Sequence, residues 1–299
     1  MLENIYVLLK NADKYKEKTD IFRKNMQEQG ICVICLKEEG EKLHKRQNQQ
    51  SNSLLVTDFS PEEIAAKEFT FFKRETGLEG LEAENCGLNE ILQKLYIVGY
   101  GLDYKGNVPY IIDDFEEISA GYMQLIYSRY TGSPYTVAVT KRLVIREMRL
   151  EDLDAMYAMY DSLSECAYIE PLYERSREEE FTRNYIRDMY GFYQYGLWLV
   201  FERESGTLVG RVGIENRMID ESLCRELGYL IDKRYQGRGF AYEAAMAVLG
   251  YARGELGLEE MYICTHINNK PSIGLAKKLG FKLYAGNIDG MNLYKKCLI

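Results

Sequence analysis

Apolar and polar positions give the first part of the chain an alternating rhythm of strand-like and helix-like stretches. Residues 5 to 29 read as a helix rich in Lys and Glu, ended by Gly30, and Ile31-Cys-Val-Ile-Cys-Leu36 is then a continuous apolar run of strand length. Gly40 to Asn52 is polar and reads as a solvated linker or helix face. Ser53-Leu-Leu-Val-Thr57 is a second short strand. It leads into Asp58-Phe-Ser-Pro-Glu-Glu63, where Ser60 is placed to N-cap, Pro61 to open a helix and Glu63 to complete a capping box. Leu95-Tyr-Ile-Val98 and Val108-Pro-Tyr-Ile-Ile112 read as further strands, the latter running into the acidic helix start Asp113-Asp-Phe-Glu-Glu117. A helix from Ser119 to Arg129 follows. Strands interleaved with helices predict a parallel sheet.

The pattern breaks at Arg129-Tyr-Thr-Gly-Ser-Pro-Tyr135 and restarts with the alternating strand Leu143-Val-Ile-Arg-Glu-Met148. Two acid-rich helices, Glu151 to Tyr160 and Glu178 to Tyr190, precede Leu197-Trp-Leu-Val-Phe201 and Leu208-Val-Gly-Arg-Val-Gly-Ile214, two strands joined by a hairpin turn at Ser205-Gly206. The expected organisation is therefore two domains: residues 1–135, a smaller α/β domain on a parallel sheet, and residues 141–299, a mixed, mostly antiparallel sheet flanked by helices. A length of 299 residues, more than one ordinary core needs, fits that division.

Composition narrows the functional classes. With 46% hydrophobic and 28% charged residues and no apolar run of about 18 residues, no membrane span is expected. The N-terminus lacks the basic flank and small-residue cleavage site of a leader, which points to the cytoplasm. A formal charge of −8 disfavours nucleic acid and favours cationic partners. Cys32-Val-Ile-Cys35 lies inside a strand-like run, so its thiols are expected to pack in a core rather than bind zinc, and with only His44 and His266 in the chain no histidine-rich metal site is expected.

The chemistry concentrates after the strand Glu226-Leu-Gly-Tyr-Leu-Ile231. Asp232-Lys-Arg-Tyr leads into Gln236-Gly-Arg-Gly-Phe-Ala241 and then a helix to about Arg253. A strand, a glycine loop and a helix form an anion-binding arrangement: Gly237 and Gly239 let backbone N–H groups turn inward, and the helix N-terminus adds about half a positive charge. Arg234 and Arg238 add full charges nearby.

These residues resemble the Gcn5-related N-acetyltransferase (GNAT) superfamily, whose central motif is Gln or Arg, two variable residues, Gly, one variable residue, then Gly or Ala; Gln236, Gly239 and Ala241 fill it. The resemblance spans residues 142 to 299 and includes Met261-Tyr-Ile-Cys-Thr-His266, Asn269-Lys-Pro-Ser272 and Lys278-Leu-Gly-Phe281. It implies an N-acetyltransferase that moves an acetyl group from acetyl-CoA to a primary amine, of a small molecule or a protein N-terminus, by direct attack without an acyl-enzyme. It also implies that the backbone of Leu230 and Ile231 pairs with the pantetheine arm, and that the N–H groups of Gly237, Arg238, Gly239, Phe240 and Ala241 hold the pyrophosphate, with Gln236 in the same cofactor-binding set. Asn269 meets the pantetheine from the other side, with Ser272 of the same signature also in the cofactor set, and a backbone N–H near Leu230 stabilises the oxyanion. The neighbouring strand splays away in this family, admitting the thioester.

A lysine-type amine of pKa near 10.4 costs about 4 to 5 kcal/mol to deprotonate at pH 7, an α-amine only about 1, so a base matters most for the former. Glu226 is the candidate base, with a partly exposed strand-end acid as the alternative; Glu215 is held in reserve as an edge charge, and His266 reads as a structural hydrogen-bonder. One departure is Ala276, which stands where many family members carry a Tyr that protonates the leaving thiolate. That leaves open a second reading, a CoA-binding regulatory protein with little turnover. Tyr229 is a further candidate lining residue. Leu54 to Ile118 weakly resembles the second half of a haloacid-dehalogenase-like phosphatase, but no Asp-x-Asp pair precedes residue 140, so Asp58 reads as a turn residue and the domain as degenerate. That domain is open to roles in specificity, homodimerisation or shielding.

Overall fold

The computed structural model describes residues 1–36, 52–66, 96–163, 168–219 and 221–299. The chain divides into two compact units, Met1–Ser133 and Pro134–Ile299. Among the described residues no helix is long and apolar enough to cross a membrane. His44 and most of the polar segment from Gly40 lie outside the described residues.

The first unit is built on a five-stranded sheet in the order β2-β1-β3-β4-β5, parallel throughout. Its strands are β1 (Asn4–Leu8), β2 (Cys32–Leu36), β3 (Ser53–Thr57), β4 (Ile97–Tyr100) and β5 (Ile111–Ile112). β1 corrects the expectation of a helix from residue 5. Flanked by β2 and β3 and covered on both faces, it buries Ile5, Val7 and Leu8, and such a strand shows no alternation to read. The helix, α1 (Lys16–Gln27), starts only after a 3-10 turn, Ala12–Tyr15, capped by Asn11, and turns Thr19, Phe22 and Met26 inward.

Helix α2 (Pro61–Ala66) begins with the expected capping box: Ser60 N–H donates to Glu63 Oε2 at 2.7 Å, and Glu63 N–H to Ser60 Oγ at 3.2 Å. The acidic run after β5 does not open a helix. Asp113 accepts from the Asp114 N–H and Asp114 from the Glu116 N–H, and these local bonds hold a turn in place of the helical ladder. Helix α3 (Ala120–Thr131) starts instead at Ser119, which accepts from Tyr122 N–H, and stops at Gly132 with φ +65°. The cysteine expectation also fails: β2 is an edge strand, Cys32 is exposed and Cys35 half-buried, its sulfur 2.8 Å from Arg23 Nη2. At the strand ends Asp58 accepts from the Lys10 N–H at 2.9 Å and Asp114 is paired with Lys18, so both carboxylates are engaged by residues distant in sequence.

The second unit carries an eight-stranded sheet in the order β12-β13-β11-β10-β9-β8-β7-β6, antiparallel everywhere except between β10 and β11. The strands are β6 (Thr136–Val139), β7 (Leu143–Arg146), β8 (Leu197–Glu202), β9 (Leu208–Ile219), β10 (Ser222–Ile231), β11 (Glu260–His266), β12 (Lys282–Ile288) and β13 (Met291–Cys297). β9 and β10 run longer than the sequence pattern indicated. They form a continuous hairpin whose register pairs Ile219 with Ser222 and Gly210 with Ile231. In consequence Glu215 and Glu226, expected at strand ends, sit within the ladder.

Helix α4 (Leu153–Tyr160) is followed by α5 (Arg175–Tyr185), which continues as a π-helical segment, Ile186–Tyr193, ended by Gln194 at φ +61°. The wide turn aims Tyr190 back at the sheet, where its hydroxyl donates to Leu197 O at 2.5 Å. Helix α6 (Phe240–Gly254) packs on β9, β10, β6 and β7 through Ala244, Ala245, Val248 and Ala252, and Tyr251 meets the buried Trp198 edge-on at 5.3 Å. Helix α7 (Lys270–Lys278) completes the unit.

Candidate active site

The site begins where the sheet stops being a sheet. β10 and β11 run parallel and share a single pair, Glu226 with Tyr262; among the described residues β10 has no ladder partner on the β11 side from Leu227 to Ile231. On its other side β10 is fully paired to β9. Glycines hold this half of the sheet tightly: a Cβ on Gly213 would stand 1.9 Å from Gly196 O, and one on Gly210 would stand 2.4 Å from Leu230 O. The unpaired edge of β10 thus belongs to a rigid strand, and a wedge-shaped gap opens from Glu226 toward the glycine loop.

At the wide end stands the loop. Gly237 (φ +75°) and Gly239 (φ +80°) adopt the left-handed conformation that favours glycine, and Gly239 caps α6 with no side chain closing the first turn. The first helical bond is Glu243 N–H to Gly239 O, so among the described residues the N–H groups of Gly237, Arg238, Gly239, Phe240 and Ala241 donate to no protein acceptor. Orphan amides at a helix start suit an anion. Gln236 turns back, its amide donating to Ile231 O at 2.9 Å, which fixes the exit of β10. Asp232, fully buried, holds Arg234 by ion pair.

Two residues that sequence reasoning missed brace the loop. Arg142 donates to Glu243 Oε2 at 2.7 Å and to Arg238 O at 2.9 Å, and its guanidinium lies 4.6 Å from the Phe240 ring centroid. Thr140 donates to the other Glu243 oxygen at 2.6 Å. Burial alone would raise the Glu243 carboxyl, but the bonds from Thr140 and Arg142 hold it below the usual carboxylate range. The signal in the sequence was an acid in the first turn after the loop; its partners, about a hundred positions earlier, left none.

The narrow end carries carboxylates. Glu226 is 8% exposed; its Oε2 accepts from Arg217 Nε and its Oε1 from the Cys264 N–H of β11 at 3.3 Å. It therefore ties both sides of the gap together at their vertex. Glu215 lies directly opposite in register. The expectation of an exposed edge charge is corrected: Glu215 is half-buried, and burial together with the Glu226 charge pushes its carboxyl above the ordinary range. Arg211, nearly sealed on the same face, donates to Tyr160 Oη at 2.9 Å.

On the far side Asn269 caps α7, its side chain accepting from Ser272 N–H at 3.2 Å, and the Ser272 hydroxyl is 2.9 Å from Tyr229 Oη. Leu230, Ile231, the loop, Asn269 and Ser272 are thus brought to one region of the unit, with Tyr229 linking β10 to α7. Ala276 is fully buried in the core and offers no proton donor. His266 stacks on Tyr168 at 5.0 Å and accepts from Asn268 N–H through Nδ1.

The parting pair of parallel strands with a free-amide glycine loop at its mouth is the arrangement that the resemblance to acyl-CoA-dependent N-acyltransferases implies. Residues 142–282 match the family model described as Acetyltransferase (GNAT) domain, and the C-terminal unit is a member of that family, an N-acetyltransferase using acetyl-CoA. The uncharacterized protein YkkB of Bacillus subtilis is 29% identical over 146 residues, covering 48% of this chain and 84% of that protein. The uncharacterized N-acetyltransferase p20 of Bacillus licheniformis is 29% identical over 146 residues, covering 48% of this chain and 80% of that protein. Among solved structures, an acetyltransferase from Agrobacterium tumefaciens aligns with a TM-score of 0.45 at 24% identity, covering 53% of this chain and 92% of the other.

Proposed function

We propose that the C-terminal unit transfers the acetyl group of acetyl-CoA to a primary amine, on a small molecule or a peptide N-terminus, in the cytoplasm. The observation that carries this reading is the single Glu226–Tyr262 pair between β10 and β11, which leaves the edge of β10 free beside the orphan amides of residues 237–241. In this reading those amides hold the pyrophosphate, Gln236 fixes the strand end that leads into them, and Leu230, Ile231, Asn269 and Ser272 line the pantetheine. A methyl group on either loop glycine would stand in a left-handed conformation, so the cradle fits a group that needs close backbone approach.

The acceptor must lose a proton before its nitrogen attacks the thioester carbon, at a cost of about 4 to 5 kcal/mol for an alkylammonium at pH 7. The carboxylates at the vertex, Glu226 and Glu215, are the groups available to receive it, and their charge favours a cationic acceptor. The test is CoA release from acetyl-CoA with a panel of alkylamines, amino acids and N-terminal peptides, after a thermal shift with CoA. Turnover on one class of amine, reduced in Glu226→Gln, is expected. Tight CoA binding without turnover on any amine would replace this reading with a regulatory one, and absence of CoA binding would remove both.

A further inference from the structure

The two carboxylates at the vertex are not equivalent. Glu226 has both oxygens engaged, by Arg217 Nε and by the Cys264 N–H. Glu215, paired across from it on the same sheet face, has no hydrogen-bond or ion-pair partner among the described residues, and neither of its oxygens is a sealed orphan. Its Oε2 leans along β10 over Gly228, lying 2.9 Å from where a Cβ on that glycine would stand, with Leu197 Cδ2 3.0 Å from the same point. Gly228 is two residues closer than Glu226 to Leu230 and the open part of the gap. The missing side chain at position 228 is what lets this carboxylate lie there.

We propose that Glu215 is the catalytic residue that takes the proton from the acceptor ammonium, and that Glu226, held by Arg217 and Cys264, is the positioning residue beside it. This rests on the acetyltransferase reading above. The N–H bond of the ammonium breaks, its electron pair stays on nitrogen as the attacking lone pair, and the proton passes to a Glu215 oxygen and from there to water. The groups facing Glu215 are Glu226 from β10, Arg211 and Arg217 from β9, Glu170 from the segment before α5 and Tyr185 from α5. Burial first, and after it the Glu226 charge, raise the Glu215 carboxyl against the two guanidiniums, of which Arg217 is already committed to Glu226, and this makes Glu215 a stronger base than a surface carboxylate.

The signs of the test follow. Glu215 accepts a proton only when ionised, so kcat/KM for an alkylamine should rise with pH through the raised Glu215 pKa. Glu215→Gln should lose that limb and about 100- to 1000-fold in kcat/KM, the size of a general-base contribution. Glu226→Gln removes a neighbouring negative charge, so the limb should move to lower pH with a loss of about tenfold, and Glu215→Asp should recover part of the rate. A limb that survives in Glu215→Gln and vanishes in Glu226→Gln overturns the assignment. A readout independent of turnover is carboxyl 13C NMR of glutamate-labelled protein: the resonance absent from Glu215→Gln should titrate above the ordinary range in the native protein and fall in Glu226→Gln. Titration at the ordinary value, unmoved by that change, refutes the proposal with the transferase reading intact. Failure of the unmodified protein to bind CoA or acetylate any amine is the separate failure of the transferase reading, and the base assignment falls with it.

Discussion

Replacing Gly239 with Ala tests the glycine cradle most directly. Gly239 sits at φ +80°, where an L-residue costs about 1 to 2 kcal/mol, while a Cβ there would meet nothing nearer than Arg142 Nη2 at 3.6 Å, an ordinary contact. The fold therefore faces backbone strain without a clash, and a drop in Tm of about 2 to 8 °C is expected for a unit of this size. Binding should suffer separately. Relaxing toward negative φ rotates the amides of Gly239 and Phe240 out of line, and one lost hydrogen bond to a charged group is worth about 1.5 to 3 kcal/mol, or roughly 10- to 150-fold in Kd. Gly206 supplies the control: it has φ +67° and open space around it, but lies in the β8–β9 turn. Gly206→Ala should show the same strain and unchanged CoA affinity by isothermal titration calorimetry. If Gly239→Ala binds CoA as tightly as Gly206→Ala, the loop is not the pyrophosphate cradle.

Two further outcomes follow from the packing around the site. Arg142→Ala removes the side-chain bonds to Glu243 Oε2 and to the Arg238 carbonyl while Thr140 keeps its hold on Glu243 Oε1, so CoA should bind about tenfold more weakly with little change in kcat, as saturation kinetics would show; an unchanged Kd would mean that the brace is idle. In the ion pair Arg146–Asp152, whose side chains are 15% and 8% exposed, burial alone would raise the Asp152 carboxyl, but the fork of Arg146 and the Arg149 N–H bring it below the usual value. Its folded pKa being depressed, its stabilisation is complete above the unfolded carboxylate range and is lost as pH falls through the folded value. Arg146→Met should cost about 3 kcal/mol at neutral pH and move acid unfolding, followed by circular dichroism, to higher pH. Acid unfolding at the same pH as the unmodified protein would contradict this.

Much of the loop could be read from letters, because left-handed backbone shows itself as glycine, and so could the start of α2, where Ser60 and Glu63 spell a capping box. Burial on both faces hides itself: Ile5 to Leu8 carry no alternation, and the charged positions from Lys10 onward pulled the helix assignment back over β1. Local competition was equally silent at Asp113 and Asp114, whose side chains take the amides that a helix would need. The pairing of Glu215 with Glu226 depends on β9 continuing through polar positions to Ile219, which no hydrophobic pattern marks. The gap beside β10 is an absence of pairing, so only the family resemblance announced it.

The lone Glu226–Tyr262 pair also has a mechanical meaning. It joins two blocks of sheet, β12-β13-β11 and β10 through β6, that share no other ladder among the described residues, so backbone cohesion across the sheet is thinnest at that point. Amide exchange should therefore be unequal, with β11 and β13 opening at lower free energy than the long β9–β10 hairpin. A molecule that fills the gap and bonds to both edges acts as a staple between the blocks, and the protection it adds will appear in β11 and β13 more than in the loop that anchors it.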